Sequence, residues 1–198
     1  MAGKGFEFEK KVSKLLLDEI AAGRLGILPS SAAVFHRKGY HSKDREGEFV
    51  VDVSIEIYRP GATSASIIWV WECKNYGHSV SVDEAEEFYS KLSQIGGAKT
   101  KGTIITSGAK FQRGTIRYAR SKGIGLVRLV PPVSSMSYVL ECGLPLSAEE
   151  QQRELRRGLL AGVPASRESD YYTMTGRGVF ADELGEFIEE EAEDLSLR

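Results

Sequence analysis

The sequence predicts an α/β protein with the element order α-β-β-α-β-α-β and a mixed central sheet flanked by helices on both faces. Three observations predict it. Residues 4–22 repeat apolar side chains at helical spacing. Residues 48–58 and 67–74 are two strand-like runs joined by a turn-rich loop. From residue 67 to residue 130, strand and helix then alternate with short connections, which requires parallel crossovers.

The first helix carries Phe8, Val12, Leu15, Leu16 and Ile20 on one stripe, and Gly23 is a natural stop. Glu9 joins that stripe, three residues before Val12 and seven before Leu16. Helix geometry alone accommodates it at the edge of the stripe, where a carboxylate near a helix start suits the dipole. Residues 23–47 are rich in Gly, Ser and charge, with room for one extra short strand near Ala33–Phe35. There His36, Arg37, Lys38, His41, Lys43 and Arg45 cluster around Gly39 and Tyr40. Two readings fit this cluster: a solvated loop, or a basic loop that touches phosphates.

Residues 48–58 alternate strictly, so Phe49, Val51, Val53, Ile55 and Ile57 are expected on one face and Asp52, Ser54 and Glu56 on the other. Arg59-Pro60-Gly61-Ala62-Thr63-Ser64 has hairpin-loop chemistry, so the strand at 67–74 should pair antiparallel with it. That strand, Ile67-Ile68-Trp69-Val70-Trp71-Glu72-Cys73-Lys74, is apolar until its end. Its last turn of the pleat places Glu72 and Lys74 on the same face, about 7 Å apart along the backbone.

A helix over Val80–Gln94 follows, with Ser81 and Glu84 at capping-box spacing. Residues 101–107 read as a short buried strand, Phe111–Lys122 as a helix ended by Gly123, and Ile124–Val130 as the closing strand. Beyond Pro131-Pro132 the pattern weakens. Ser134–Glu141 reads as extended, Ser147–Leu160 as helical, Val163–Gly178 as polar and loose, and Phe180–Leu195 as an acidic helix.

Charge divides the chain at the same point. Residues 1–132 hold 20 Lys and Arg against 14 Asp and Glu, a net of +6; residues 133–198 hold 6 against 14, a net of −8. We therefore read 1–132 as the core and 133–198 as an acidic, partly helical extension that packs on the core or binds a protein partner. The basic part suits a polyanionic partner, which the acidic part would repel. Two cysteines, Cys73 and Cys142, do not make a disulfide framework, and His36, His41 and His78 are too scattered for structural zinc. No apolar run approaches a membrane span and the N-terminus does not read as a signal peptide, so a cytoplasmic protein is expected.

The chemistry resides in the paired strands. Charged groups in an otherwise apolar strand cost several kcal/mol unless compensated. If the hairpin forms, Asp52 joins Glu72 and Lys74 at one sheet edge. Two carboxylates, with the backbone carbonyl of Cys73, suit Mg²⁺, which prefers hard oxygen ligands and keeps several waters. Lys74 is then placed to orient a water or balance developing charge. This is equipment for phosphodiester hydrolysis; a cross-strand ion pair worth about 0.2–1 kcal/mol is the plainer reading of the same residues.

These pieces resemble, in order, the Mrr-like restriction endonucleases of the PD-(D/E)xK nuclease superfamily. Gly5-Phe6-Glu7-Phe8-Glu9-Lys10-Lys11-Val12 is similar to the family's opening helix, Val51-Asp52-Val53 to its aspartate strand, and Glu72-Cys73-Lys74-Asn75-Tyr76 to its acid-x-Lys motif. Lys101–Ser107, Phe111-Gln112 and Ala119-Arg120 through Leu126 resemble its closing β-α-β. Many members have Gln where this chain has Glu72, and the Gly-rich approach to the aspartate is here Arg45-Glu46-Gly47-Glu48-Phe49-Val50.

The resemblance implies a restriction-endonuclease-like core and a DNA endonuclease dependent on Mg²⁺ or Mn²⁺, acting in bacterial defence or DNA repair. It implies Asp52 and Glu72 as metal ligands, Lys74 as the catalytic lysine, and Glu9 as a supporting acid. Two-strand cleavage by such nucleases makes a homodimer an expectation. Lys99, Lys101, Lys110, Arg113 and Arg117 are candidate phosphate contacts, or a solvated face. The alternative function is a non-catalytic nucleic-acid-binding or assembly module that keeps the nuclease fold.

Overall fold

The computed structural model describes residues 3–23, 28–42, 44–75, 77–96 and 99–129, with the backbone of 171–174 and 180–181. Helix α1 (Lys4–Ala21) leads through a 3-10 turn (Pro29–Ser31) into strands β1 (Ala32–Ser42), β2 (Gly47–Ile57) and β3 (Ile67–Lys74). Helix α2 (Val82–Gly96), strand β4 (Thr100–Thr106), helix α3 (Arg113–Lys122) and strand β5 (Ile124–Leu129) follow, then the short strands β6 (Tyr171–Met174) and β7 (Phe180–Ala181). The strands lie in one sheet in chain order. β1, β2 and β3 pair antiparallel, β3, β4 and β5 parallel, and β6 and β7 antiparallel. Among the described residues no helix is long and apolar enough to cross a membrane.

The sheet is covered on both faces. Phe8, Val12, Leu16 and Ile20 of α1 bury the face made by Val53, Ile55, Trp69, Trp71, Ile105 and Val127. The other face, with Val70, Ile104 and Leu126, packs against Phe88 and Leu92 of α2 and Ile116 and Ala119 of α3. Gly102 permits the close approach of α2: a Cβ there would stand 2.3 Å from Leu92 Cδ1 and 2.8 Å from Phe88 Cε1. Glu84 accepts the Ser81 backbone N–H at 2.8 Å, the capping contact expected at the start of α2. α3 ends on Gly123 in the left-handed conformation.

Three features differ from the sequence reading. First, the stretch read as a loop with one short strand is β1, eleven residues long, at the edge of the sheet. Charged side chains on an edge strand discourage pairing with other chains, and they also hide the strand pattern.

Second, β2 does not keep one apolar face. Val53 and Ile55 belong to the α1 side, whereas Val51 and the neighbouring Phe49 pack on the α2 side. The β1–β2 register runs through His36↔Val53 and resumes at Lys38↔Val51, passing over Arg37 and Asp52. Arg37 has φ 55°, and the side chains change sides at this left-handed residue. Because both faces are covered, Ser54 and Glu56 are buried too. Ser54 donates to the Tyr40 hydroxyl at 2.9 Å, Tyr40 donates to Glu56 at 2.7 Å, and Lys38 and Tyr58 also donate to Glu56. Burial pushes the Glu56 pKa up, but these donors outweigh it and hold the carboxyl below its usual range.

Third, the segment read as loose contains β6, paired with β5, and Phe180, read as the start of a helix, lies in β7. The rest of that helix and the segments expected at 134–141 and 147–160 lie outside the described residues.

Candidate active site

The site forms where β2 and β3 separate. Their register runs from Ile57↔Ile67 to Val53↔Trp71 and ends there. One step further, the Asp52 carboxylate takes the place of a backbone acceptor: the Cys73 N–H donates to Asp52 Oδ2 at 2.8 Å. This fixes the Asp52 carboxylate at the backbone of Cys73, the residue between Glu72 and Lys74 in the chain. Glu72 and Lys74 lie on the α2 side, and Lys74 Nζ donates to Glu72 Oε1 at 3.1 Å. Their side chains are 9% and 11% exposed, so this pair is held in a largely dry setting.

Glu9 arrives from the opposite face. His36 Nε2 lies 3.1 Å from Glu9 Oε2, and Arg37 donates to the same oxygen at 3.5 Å. Glu9 thus faces the chain inversion at Arg37 and Asp52. Asn75, the residue after β3, donates to the Lys4 backbone carbonyl at 2.8 Å and accepts from Ser107. The tail of the acid-x-Lys motif therefore ties the start of α1 to the end of β4.

The charges are unevenly balanced. Burial, then the Glu72 charge, then Glu9 push the Asp52 carboxyl up to about 6, against the opposing Cys73 N–H and Lys91. Burial likewise pushes the Cys73 thiol up, with Asp52, Glu9 and Glu72 adding to it. Cys73 is thus a site residue through its main chain.

Two residues of α2 complete the surroundings: Lys91, not singled out in the sequence, and Glu84, read there only as a capping residue. Lys91 Nζ donates to Glu72 Oε1 at 3.1 Å, so one carboxylate oxygen receives two ammonium groups. Burial lowers the Lys91 pKa, but the Glu72 charge and hydrogen bond outweigh it and the net shift is upward. Glu84 Oε1 stands 3.9 Å from Lys74 Nζ. The usable signal was spacing: Glu84, Glu87 and Lys91 fall at i, i+3 and i+7, one stripe beside the apolar face of α2.

Among the described residues no three His, Cys, Asp and Glu side chains gather to hold an ion by themselves. The donor set still fits a hard divalent cation of the Mg²⁺ kind. Hydrogen bonds among the described residues engage Asp52 through Oδ2 and Glu72 through Oε1, so Oδ1 and Oε2 are the oxygens to offer a cation. Asp52 is raised first by burial and then by the Glu72 and Glu9 charges, and a bound cation would relieve the repulsive part. Mg²⁺ needs one or two carboxylates and fills its remaining positions with water, phosphate or a backbone carbonyl such as that of Cys73.

The expected phosphate contacts divide between the two ends of the sheet. Lys74 stands beside Thr106 at the end of β4, and Lys101 beside Trp69 near its start, about 17 Å away along the strand. Lys101 is only 7% exposed, so this structure does not offer it to a phosphate. Lys99 is exposed but lies at the same distant end. Lys110 and Arg113, in the β4–α3 connection and the first turn of α3, are exposed at the site's end, and Arg117 follows one turn later.

The mixed sheet with helices on both faces is a restriction-endonuclease-like fold. A family model described as restriction endonuclease, the Mrr catalytic domain, matches residues 30–130, and the chain belongs to that family. α1 and Glu9 precede the matched stretch. No curated protein matches the chain. A crystal structure of a protein of unknown function is similar at 15% identity over 90% of this chain and 96% of that one, with a TM-score of 0.40, a likeness too slight to argue from.

Proposed function

We propose that this nuclease cleaves DNA by metal-assisted hydrolysis at the point where β2 and β3 part. The observation that carries the reading is the bond from the Cys73 N–H to Asp52 Oδ2, which sets Asp52 beside the Glu72–Lys74 pair. Asp52, Glu72 and the Cys73 carbonyl hold the ion, Mg²⁺ or Mn²⁺. Bound there, the metal supplies Lewis-acid polarisation of a phosphate oxygen and a water of lowered pKa. Lys74 keeps an ammonium beside the reacting phosphate and balances the charge that develops on its oxygens. Glu9, anchored by His36 and Arg37, supports Asp52 from the other face. Lys110 and Arg113 contact the phosphates flanking the scissile bond, and Arg117 extends this row.

Plasmid DNA incubated with Mg²⁺ or Mn²⁺ should be nicked or linearised by the native protein. Asp52→Ala and Lys74→Ala should each lose at least about 100-fold in rate, the scale of removing one electrostatic stabiliser from a transition state. Undiminished cleavage in both variants refutes the assignment. Salt-sensitive DNA binding with no cleavage in either metal selects the non-catalytic module instead.

A further inference from the structure

The unusual feature of the site is that Glu72 Oε1 is shared by two lysines that reach it from different elements. Lys74 comes from β3, two residues beyond Glu72. Lys91 comes from α2, the other side of the cleft, at the same 3.1 Å. Lys91 also has a second seat: Glu87 Oε1, one helical turn away, lies 3.4 Å from its Nζ. The two seats differ in exposure. The Glu72 side chain is 9% exposed and that of Glu87 is 68% exposed. One ammonium thus stands between an inner carboxylate and an outer one, and a long, flexible side chain moves between them at little cost.

We infer that Lys91 is a positioning residue that competes with the divalent cation for Glu72 and withdraws to Glu87 when the cation binds. This rests on the metal-binding reading of Asp52 and Glu72. An ammonium on Glu72 keeps the buried carboxylate compensated before the ion arrives, because an unpaired charge there is costly. The same ammonium opposes the ion, since a divalent cation on the neighbouring oxygen of the same carboxylate is repelled by it. Lys91 therefore lowers the affinity for metal, and Glu87 raises it by giving Lys91 somewhere to go. Lys74 also has Glu84 Oε1 at 3.9 Å, but that side chain is 20% exposed against 68% for Glu87, so it is not a comparable outer seat.

The test is titration calorimetry of the full chain with Mn²⁺, and separately with Mg²⁺, supported by the metal-induced shift in Tm. Lys91→Met, which keeps the aliphatic stem, should bind the ion about tenfold more tightly, a change of about 1.4 kcal/mol. Lys91→Arg should stay within about twofold of the native protein. Glu87→Gln should bind about threefold more weakly, and should lose that effect when combined with Lys91→Met. Circular dichroism establishes that each variant is folded; if Lys91→Met is not, Glu87→Gln alone decides. Native binding that Asp52→Ala abolishes, with Lys91→Met unchanged or weaker, overturns the role of Lys91 and leaves the metal site standing. Absence of metal binding in the native protein overturns both.

Discussion

At the scale of single residues, Asp52 concentrates the chemistry. Its carboxyl titrates near 6 in the folded protein, against an ordinary value of 3.8. The folded state therefore holds the Asp52 proton more tightly than the unfolded state does. The stability this contributes is present below about pH 4 and is lost as pH rises through about 6. The loss is on the order of 3 kcal/mol for a shift of this size. On the metal-binding role proposed for Asp52, a divalent cation competes with the same proton. In metal-free buffer, Tm should fall between pH 5 and pH 7, and the stabilisation given by Mn²⁺ should grow over that range. Cleavage should drop about tenfold per pH unit below 6. A Tm that is flat in pH without metal and shifted equally by Mn²⁺ at pH 5 and pH 7 would show that Asp52 is not the proton-linked ligand. Asp52, Glu72 and Lys74 were legible in the sequence because they interrupt two adjacent apolar strands. Lys91 was not, because a charged residue beside the apolar stripe of a helix reads as a solvated face until the helix is docked, and Glu84 was legible only as a cap.

At the scale of elements, the inversion of β1 and β2 decides what the site can reach. A regular strand would send Val51 and Val53 to the same face. Here they face opposite helices, and the switch frees Asp52 to turn toward Cys73. Arg37 at φ 55° is the one irregular backbone position beside it, and nothing local announces it, since Gly or Asn usually fills such a place. Two variants isolate the backbone effect. Arg37→Ala and Arg37→Gly both remove the guanidinium from Glu9, but only glycine relaxes in the left-handed region. Arg37→Gly should be the more stable of the two by about 1 kcal/mol in urea unfolding; the reverse order would place Arg37 in an ordinary extended conformation. The same logic explains what was readable. α1, α2, β2, β3, β4, α3 and β5 each carry enough apolar residues at helical or strand spacing that their existence followed from the sequence pattern. β1 carries Arg37, Lys38, Gly39 and His41 in its middle, and its pairing with β2 compensates for a sequence that disfavours strand structure.

At the scale of the whole molecule, the acidic C-terminal part is joined to the core through backbone pairing. β6 pairs residue by residue with β5 from Leu129↔Tyr171 to Leu126↔Met174. β5 would otherwise be an open edge beside a buried core, and open edges invite association between chains. The same part carries the net −8 that offsets the net +6 of residues 1–132. One segment thus pairs with β5 and carries the negative charge, so the two effects of its removal should separate in measurement. Deleting residues 133–198 should cost roughly 2–4 kcal/mol from the lost ladder and promote self-association. It should also raise non-specific DNA affinity about tenfold at low salt, with a steeper decline as salt increases. Thermal unfolding, light scattering and fluorescence anisotropy at two salt concentrations read these quantities independently. A deletion that is destabilised but gains no affinity would limit the segment to closing the sheet. One that gains affinity without losing stability would mean that β5 holds its place without β6. Neither result would touch Asp52, Glu72 or Lys74, which stand three strands and more from β7 on the far side of β4.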